Sequence, residues 1–531
     1  MSSLFKHVGK DLSASLVVFF VALPLCLGIA LASGAPLFSG LIAGIIGGVV
    51  VGSLSGSSVG VSGPAAGLAV IVLTAIGTLG SFENFLLAVI LAGVIQVVFG
   101  VLKAGVIGYY FPSAVIKGML AAIGIIIVLK QIPHAFGHDA DYEGDESFVQ
   151  ADGENTFSTL STMLDSLTPG AIVLSLVSLL ILILWDKVLT KKHQLFKLIP
   201  GSLVAVIVGL VFQSLIPEGS YLYIEASHLV NVPIPENLDM FIGQFTLPNF
   251  GAITNLDVWT VAFTLAVVAS LETLLSVEAA DKIDPEKRVT PTNRELFAQG
   301  TGNILSGLIG GIPVTQVIVR SSANVMSGGK TKLSTIFHGL FLLLAVILIP
   351  GLLNRIPLAV LAAVLLMVGF KLANPAMFKA MYKLGRSQFL PFIVTVIGVV
   401  FTDILVGIAL GMAVSIIFIL IENYKNSHFL NIVKDSSVEN HIYMTLAEEL
   451  SFLNKGAILR ELSNLPEGTF LELDVRKTIR INYDVIEILE DFTSKAKERN
   501  IRVKLISTKG SVENPESYSA FFGWDSPVAS H

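Results

Sequence analysis

The chain has 531 residues, 53% of them hydrophobic and only 14% charged, with a mean hydropathy of +0.77. Soluble globular domains do not carry that balance, so the polypeptide belongs in lipid. The net charge of −6, from 34 basic and 40 acidic side chains, is an average over two compartments and carries no information about partners, but no basic run interleaved with aromatics points to nucleic acid.

Apolar segments able to cross the hydrocarbon core as helix, about 30 Å thick, recur from Leu12 to about Asn423. In chain order they fall near 12–32, 36–53, 64–78, 83–101, 113–132, 170–186, 198–216, 257–281, 293–310, 313–327, 333–350, 356–373, 388–406 and 407–423, which makes fourteen spans. The first holds Pro24 and Gly28 and runs into the second without a small-residue cleavage site, so it is expected to be retained rather than removed as a signal peptide. Cys26, the single cysteine, lies within it, which leaves no disulfide and no thiolate metal cluster.

Basic residues orient the spans, because cytoplasmic loops collect them. One set of alternate loops holds Lys103; Lys187, Lys191, Lys192 and Lys197; Lys287, Arg288 and Arg294; Lys330 and Lys332; and Lys371, Lys379, Lys383 and Arg386. The opposite set is nearly free of them: His134 to Ser166 carries eight carboxylates and no Lys or Arg, and Pro217 to Asp257 has no Lys or Arg either. Lys130 and Arg355 are the exceptions, one a snorkelling span end and the other a short-loop residue. An even number of spans then leaves both termini in the cytoplasm of a bacterial-type inner membrane.

Two spans follow a break at glycine and proline. The third begins at SGPAAG from Ser62 and gives a helix of about 15 residues, roughly 22 Å long and too short to cross. The tenth, GGIPVTQVIVRSSANVMSGGKT from Gly310, repeats the pattern, with Pro313 in the place of Pro64 and proline expected just inside the helix start. Third and tenth of fourteen are the same element of two seven-span halves, and an odd number per half sets the halves in opposite topology. GLIAGIIGG before the first break is echoed by GLIGG before the second. Glycine and proline also serve tight helix packing without any site, and that alternative stands beside the repeat.

Two half-helices meeting near the midplane would present free N–H groups and about +0.5 of dipole charge each, which suits an anion. The expected donors are the amides of Ala65, Ala66 and Gly67 on one side and of Val314, Thr315 and Gln316 on the other, with the Thr315 hydroxyl available. Glu272 lies in the middle of the eighth span, where an acidic side chain costs about 2.5–3.5 kcal/mol. Beside an anion it is useful only when neutralised, by a proton or by sodium, and Ser276 at i+4 could complete an oxygen ligand set. A hydrogen-bonded packing role for Glu272 is the alternative. Arg320, expected well along the tenth helix, either balances anion charge or pairs with a carboxylate such as Glu272. Thr292 and Glu295 have the spacing of a helix capping box. His338 and Asp403 are expected to be satisfied by neighbouring helices.

Beyond Asn423 the pattern changes to strand HIYMTLA, a helix near Leu453 to Leu462, strand TFLELDV, a helix from Asp484 to Arg499 and strand IRVKLIS, with a polar stretch from Lys509. No phosphate loop, triad or metal cluster occurs in it, so an enzyme is not expected and interaction or regulation is.

The order of parts, and above all NRELFAQGTGNILSGLIGGIP (Asn293 to Pro313) followed by RSSAN (Arg320 to Asn324) and SGGKTKLS (Ser327 to Ser334), resembles the sulfate permease (SulP) anion transporters, in which fourteen spans precede a STAS domain. The resemblance implies core and gate domains that move against each other, a homodimer, an anion site between the third and tenth helices, and Glu272 at the acidic position of the eighth. Leu25 after Pro24, where many relatives carry glutamine, and Val319 before Arg320, where serine is frequent, depart from the sulfate pattern and lean toward the bicarbonate-transporting members. Asn482, Tyr483 and Asp484 stand where related regulators carry a phosphorylatable serine. The expected protein is thus an α-helical polytopic membrane protein, seven plus seven spans in inverted repeat, with a transporter domain at 1–425 and a STAS-like cytoplasmic α/β domain at 437–531. It carries a small inorganic anion with sodium or proton coupling and needs no cofactor. The alternatives are an uncoupled exchanger or channel of the same fold and, disfavoured by the tail, a nucleobase-type transporter.

Overall fold

Lipid offers no partner to backbone N–H and C=O groups, so an apolar chain satisfies them within helices except where side chains take over. The computed structural model describes residues 7–139, 148, 155–192, 196, 199–234, 241–432, 440–518 and 521. Lys197, much of the acidic loop after His134 and the chain end from 522 lie outside them. A helix occupies each of the fourteen expected segments: α1 (Val8–Ala32), α2 (Leu37–Leu54), α3 (Ala66–Leu79), α4 (Phe82–Val101), α5 (Ser113–Ala135), α6 (Pro169–Lys192), α7 (Gly201–Leu215), α8 (Leu256–Ile283), α9 (Thr292–Leu308), α10 (Ile318–Met326), α11 (Leu333–Leu348), α12 (Leu358–Leu372), α13 (Arg386–Phe401) and α14 (Ile404–Lys425). Among the described residues, eight helical runs are long and apolar enough to cross a membrane: α1, α2, α4, α5, α6, α8, α14 and the run Leu358–Lys383 that contains α12. The half-helices α3 and α10 are shorter, α10 having 9 residues.

The helix contacts obey a seven-helix repeat. Gly48 of α2 lies against Gly339 of α11, where an added Cβ would stand 2.5 Å from the Gly339 Cα. Gly93 of α4 lies against Gly300 of α9, where a Cβ on Gly300 would stand 2.5 Å from the Gly93 carbonyl oxygen. Advancing α2 and α11 by seven, cyclically, gives α9 and α4, so one glycine crossing occurs once in each half. The strands ahead of the half-helices, β1 (Ser62–Gly63) and β2 (Thr315–Gln316), pair antiparallel, Ser62 opposite Gln316 and Gly63 opposite Thr315. Antiparallel pairing of equivalent segments is what inversion requires.

The chain divides into two compact units, Met1–Met412 and Ala413–His531, with the division inside α14. The second unit carries a five-stranded sheet in the order β3 (His428–Ile432), β4 (His441–Leu446), β6 (Phe470–Asp474), β8 (Arg502–Ser507) and β9 (Gly510–Glu513). The central three strands run parallel and both edge strands antiparallel. A short parallel pair, β5 (Glu449–Leu450) with β7 (Arg480–Ile481), lies apart from that sheet. Helices α15 (Lys455–Ser463) and α16 (Tyr483–Glu498) bury Ile458, Leu462, Ile486, Leu489 and Phe492 with Leu471, Leu473, Val503 and Leu505 of the sheet in one core. The central three strands and both helices lie where the sequence pattern sets them. The edge strands β3 and β9 do not alternate clearly enough to be read from sequence, and β9 falls within the polar stretch from Lys509.

Candidate functional site

The β1–β2 register carries both chain breaks to one place, since Val314 follows Pro313 directly and continuing the register beyond Gly63 and Thr315 sets Pro64 beside Val314. Past β1 the chain turns at Ala65 into α3, and past β2 it turns at Val317 into α10; neither helix start has a side-chain cap. The first-turn N–H groups of both half-helices are therefore not bound by a capping side chain, the condition under which a helix start attracts negative charge.

These starts line one small cavity. Ala66 of α3, with Val317, Ile318 and Val319 at the head of α10, forms one wall; Glu272, Leu275 and Ser276 of α8 form a second; Met119 and Ile123 of α5 and Ile404 of α14 close it. Its volume is about 30 Å³, room for about one water molecule. Glu272 faces Gly67, where an added Cβ would stand 3.1 Å from Oε1, so the glycine lets the carboxylate approach the α3 backbone. Glu272 and Ser276, one turn apart, thus share a cavity with both helix starts.

The second set of expected donors needs correction. Val314, Thr315 and Gln316 do not open α10, which begins at Ile318. The Val314 N–H donates to Asn303 Oδ1 at 2.6 Å and the Gln316 N–H to Thr273 Oγ1 at 3.3 Å. The Thr315 hydroxyl is buried, does not line the cavity and has no hydrogen-bond partner among the described residues. Proline at a helix start is common, but here β-branched residues follow it and find a strand partner and side-chain amides, so tertiary contacts override the local signal. The amides that head α10 are those of Ile318, Val319 and Arg320. On the first side Ala66 lines the cavity, while Ala65 is a buried extended residue just before the helix.

Arg320 also differs from expectation. It lies in the first turn of α10 rather than well along it, is 1% exposed, and folds behind the strand pair, with Nη2 donating to the Pro64 carbonyl at 3.5 Å. Its Nη1 crowds Gly63, where a Cβ would be only 2.0 Å away, and has no hydrogen-bond partner among the described residues. A fixed positive charge behind both helix starts adds to their dipoles. By the register, Ser62 and Gly63 correspond to Thr315 and Gln316, so Pro64 corresponds to Val317 and Gly67 to Arg320. The two prolines are therefore not equivalent positions.

Thr292 and Glu295 form no capping box: Pro291 precedes α9 without a side-chain cap, and Thr292 is already helical. Glu295 instead accepts from the Ser55 hydroxyl at 2.5 Å and from Gln299 Nε2 at 3.0 Å. Asp403 caps α14, accepting from the Val406 N–H at 2.9 Å, whereas both ring nitrogens of His338 lack a partner among the described residues, against expectation. Sequence reasoning missed Gln96, Thr273, Gln299 and Asn303, all buried around the strand pair. For the two on α9 the signal was present as polar residues spaced by four, Glu295, Gln299 and Asn303; Gln96 on α4 and Thr273 on α8 carry no such pattern.

Comparison with known proteins agrees with this architecture. The profile of the sulfate permease family matches residues 8–395. YvdB of Bacillus subtilis is 29% identical over 411 residues, covering 77% of this chain and 73% of its own. The bicarbonate transporter BicA of a Picosynechococcus species is 25% identical over 535 residues, covering 95% and 90%. The solved inward-facing structure of the murine anion transporter Slc26a9 shares the fold with a TM-score of 0.66 at 16% identity, over 94% of this chain and 86% of that one. The chain, helical and polytopic with a small α/β region at its C-terminal end, belongs to the sulfate permease family, a family of transporters and not of enzymes.

Proposed function

We propose that the chain carries a small inorganic anion across the inner (plasma) membrane, with bicarbonate ahead of sulfate, driven by sodium or proton entry. The reading rests on one observation: the starts of α3 and α10 converge on a cavity that also holds Glu272 and Ser276. The anion is held by the first-turn amides around Ala66 and Val319, Arg320 supplies positive potential from behind, and the coupling ion neutralises Glu272 with help from Ser276. Met119, Ile123 and Ile404 form an apolar lid on the side facing α5 and α14. Alternating access follows if the helices carrying the half-helix pair move as a core against the gate helices that supply this lid. Desolvation cost rises with the square of charge, so a cavity this small and this apolar favours a monoanion over a dianion. In this reading residues 1–425 form the transporter domain, both termini are cytoplasmic, the α/β unit that follows forms a regulatory STAS-like domain starting at β3 rather than at 437, and the assembly is a homodimer.

The test is uptake of radiolabelled bicarbonate and sulfate into proteoliposomes under imposed sodium or proton gradients. Accumulation above the external concentration is expected for bicarbonate when the cation gradient points inward. Equilibration without accumulation would assign an uncoupled exchanger or channel, and absence of flux for both anions would overturn the reading.

A further inference from the structure

Four polar side chains of α9, Glu295, Gln299, Asn303 and Ser306, are buried to 1% exposure or less. Their spacing of four, four and three sets them in one stripe. Away from water such groups are costly unless paired, so what they pair with states their purpose. Gln299 Nε2 donates to the Ser62 hydroxyl in β1 at 2.7 Å. Asn303 grips the chain just before β2 from both sides, Oδ1 accepting from the Val314 N–H at 2.6 Å and Nδ2 donating to the Val314 carbonyl at 3.0 Å. Asn303 Nδ2 also donates to Gln96 Oε1 at 2.6 Å, and Ser306 Oγ to the Ile312 carbonyl at 2.8 Å. Every one of these contacts falls on the irregular segments that lead into α3 and α10, or on the α4 side chain that braces Asn303.

We propose that Gln299 and Asn303 are positioning residues of the anion site, acting through the strand pair without touching the anion. This rests on the reading of the α3–α10 cavity as that site. Two-residue strands are too short to hold a register by themselves. The Asn303 amide gives Val314 the donor and acceptor that a third strand would supply, and Gln299 anchors the opposite strand four residues along the same helix. One rigid helix therefore sets the distance between the two sets of free amides. Without it the Val314 N–H and carbonyl lose their partners, the pair shifts, and amides aimed at one point diverge.

The experiment measures initial uptake of radiolabelled bicarbonate and sulfate by the full-length protein in proteoliposomes, normalised to folded transporter, for Asn303→Ala, Asn303→Asp and Gln299→Ala. Amides that no longer converge hold the anion less tightly, so apparent KM is expected to rise about tenfold in the alanine variants, with Vmax within about twofold of the parent. Asn303→Asp retains the acceptor and regains a donor only when protonated, so its KM relative to the parent falls as the assay pH is lowered. A purely structural role would lower the amount of folded protein or Vmax and leave KM unchanged, and that result would overturn the proposal. If Asn303→Ala does not fold, Asn303→Asp and Gln299→Ala decide: parental KM at every pH in both overturns it. Ala66→Leu, which fills the cavity, separates the two levels. If it too leaves KM unchanged, the site reading fails; if it alone raises KM, only the positioning role fails.

Discussion

Gly300→Ala tests the frame on which the site is built. The added Cβ would stand 2.5 Å from the Gly93 carbonyl oxygen and 2.8 Å from the Val97 nitrogen, both backbone atoms of α4 that no rotamer change can move. Ordinary contact begins at 3.4 Å, so α4 and α9 must separate by about 0.9 Å at this crossing. Overpacking of that kind costs about 1–3 kcal/mol. The displaced segment carries Gln299 next in sequence and Asn303 one turn on, so uptake per folded molecule is expected to fall about tenfold, within the loss of up to about a hundredfold that a misplacement of about 1 Å can bring. The assay is the melting temperature in detergent, read with initial uptake rate in proteoliposomes. Gly77→Ala is the control: a helical glycine of α3 with nothing within 4 Å of the added carbon, expected to be neutral or stabilising by up to about 1 kcal/mol. If Gly300→Ala melts and transports like the parent, the close crossing and the coupling from frame to site are both wrong.

Three further outcomes are expected. Glu272→Gln, a permanently neutral mimic, should retain anion exchange while uptake loses its response to a sodium or proton gradient; an unchanged response would remove Glu272 from coupling. Just past the end of α5, the Asp139 carboxylate accepts from Nδ1 of His134, in the last turn of that helix, at 2.5 Å and from His228 Nδ1 at 2.6 Å. Burial pushes the Asp139 carboxyl up, but the hydrogen bonds from both imidazoles outweigh it and hold it below the usual range, while the bond to Asp139 raises His228 against its own burial. A raised imidazole contributes stability that is present below its ordinary value of about 6.5 and lost as pH climbs through its folded value; a lowered carboxyl contributes stability present above about 3.9 and lost as pH falls through its folded value. Stability from this link should therefore peak in mildly acidic buffer, and His228→Gln should flatten the fall in melting temperature toward alkaline pH; a parent with no such fall would refute the link. Asn482 caps α16, its Oδ1 accepting from the Asp484 N–H at 3.0 Å, so Asn482→Ala should destabilise the C-terminal unit by about 1 kcal/mol, read as earlier loss of helicity on heating the full chain.

Much of the fold was legible because lipid makes hydrophobic length decisive: each apolar run became a helix, and the period-2 and helical patterns after Asn423 became the central strands and both helices. The site was legible in part. Glu272 and Ser276, four apart on an apolar helix, share a face by geometry alone and line the cavity as their spacing implies. Pro64 and Pro313 misled because similar local sequence need not mean an equivalent position. After Pro64 the chain goes almost directly into helix, whereas after Pro313 four residues remain extended, three of them paired with Asn303, β1 or Thr273, partners distant in sequence. Glu295 misled for the same reason, its partner Ser55 being 240 residues away.

The register also explains why a nearly symmetric frame can serve an asymmetric task. Gly67 and Arg320 are equivalent positions, each in the first turn of its half-helix. On the α3 side the half-helix offers glycine and α8 brings the carboxyl, Glu272; on the α10 side the half-helix supplies the charge, Arg320, and its neighbour on α1 is Cys26, which brings no carboxyl. Inversion preserves the geometry and changes the chemistry, leaving one cation and one carboxylate around the same pair of helix starts. In the proposed reading this sets the order of events. With Glu272 ionised, a bound monoanion gives the site a net negative charge in a low-dielectric setting, where like charges repel strongly. With Glu272 neutralised by the coupling ion, Arg320 and a monoanion balance, while a dianion leaves one charge uncompensated. Charge balance thus makes the cation a condition of anion binding and selects a monoanion, which joins the coupling and the substrate preference to the single exchange of glycine for arginine between the two halves.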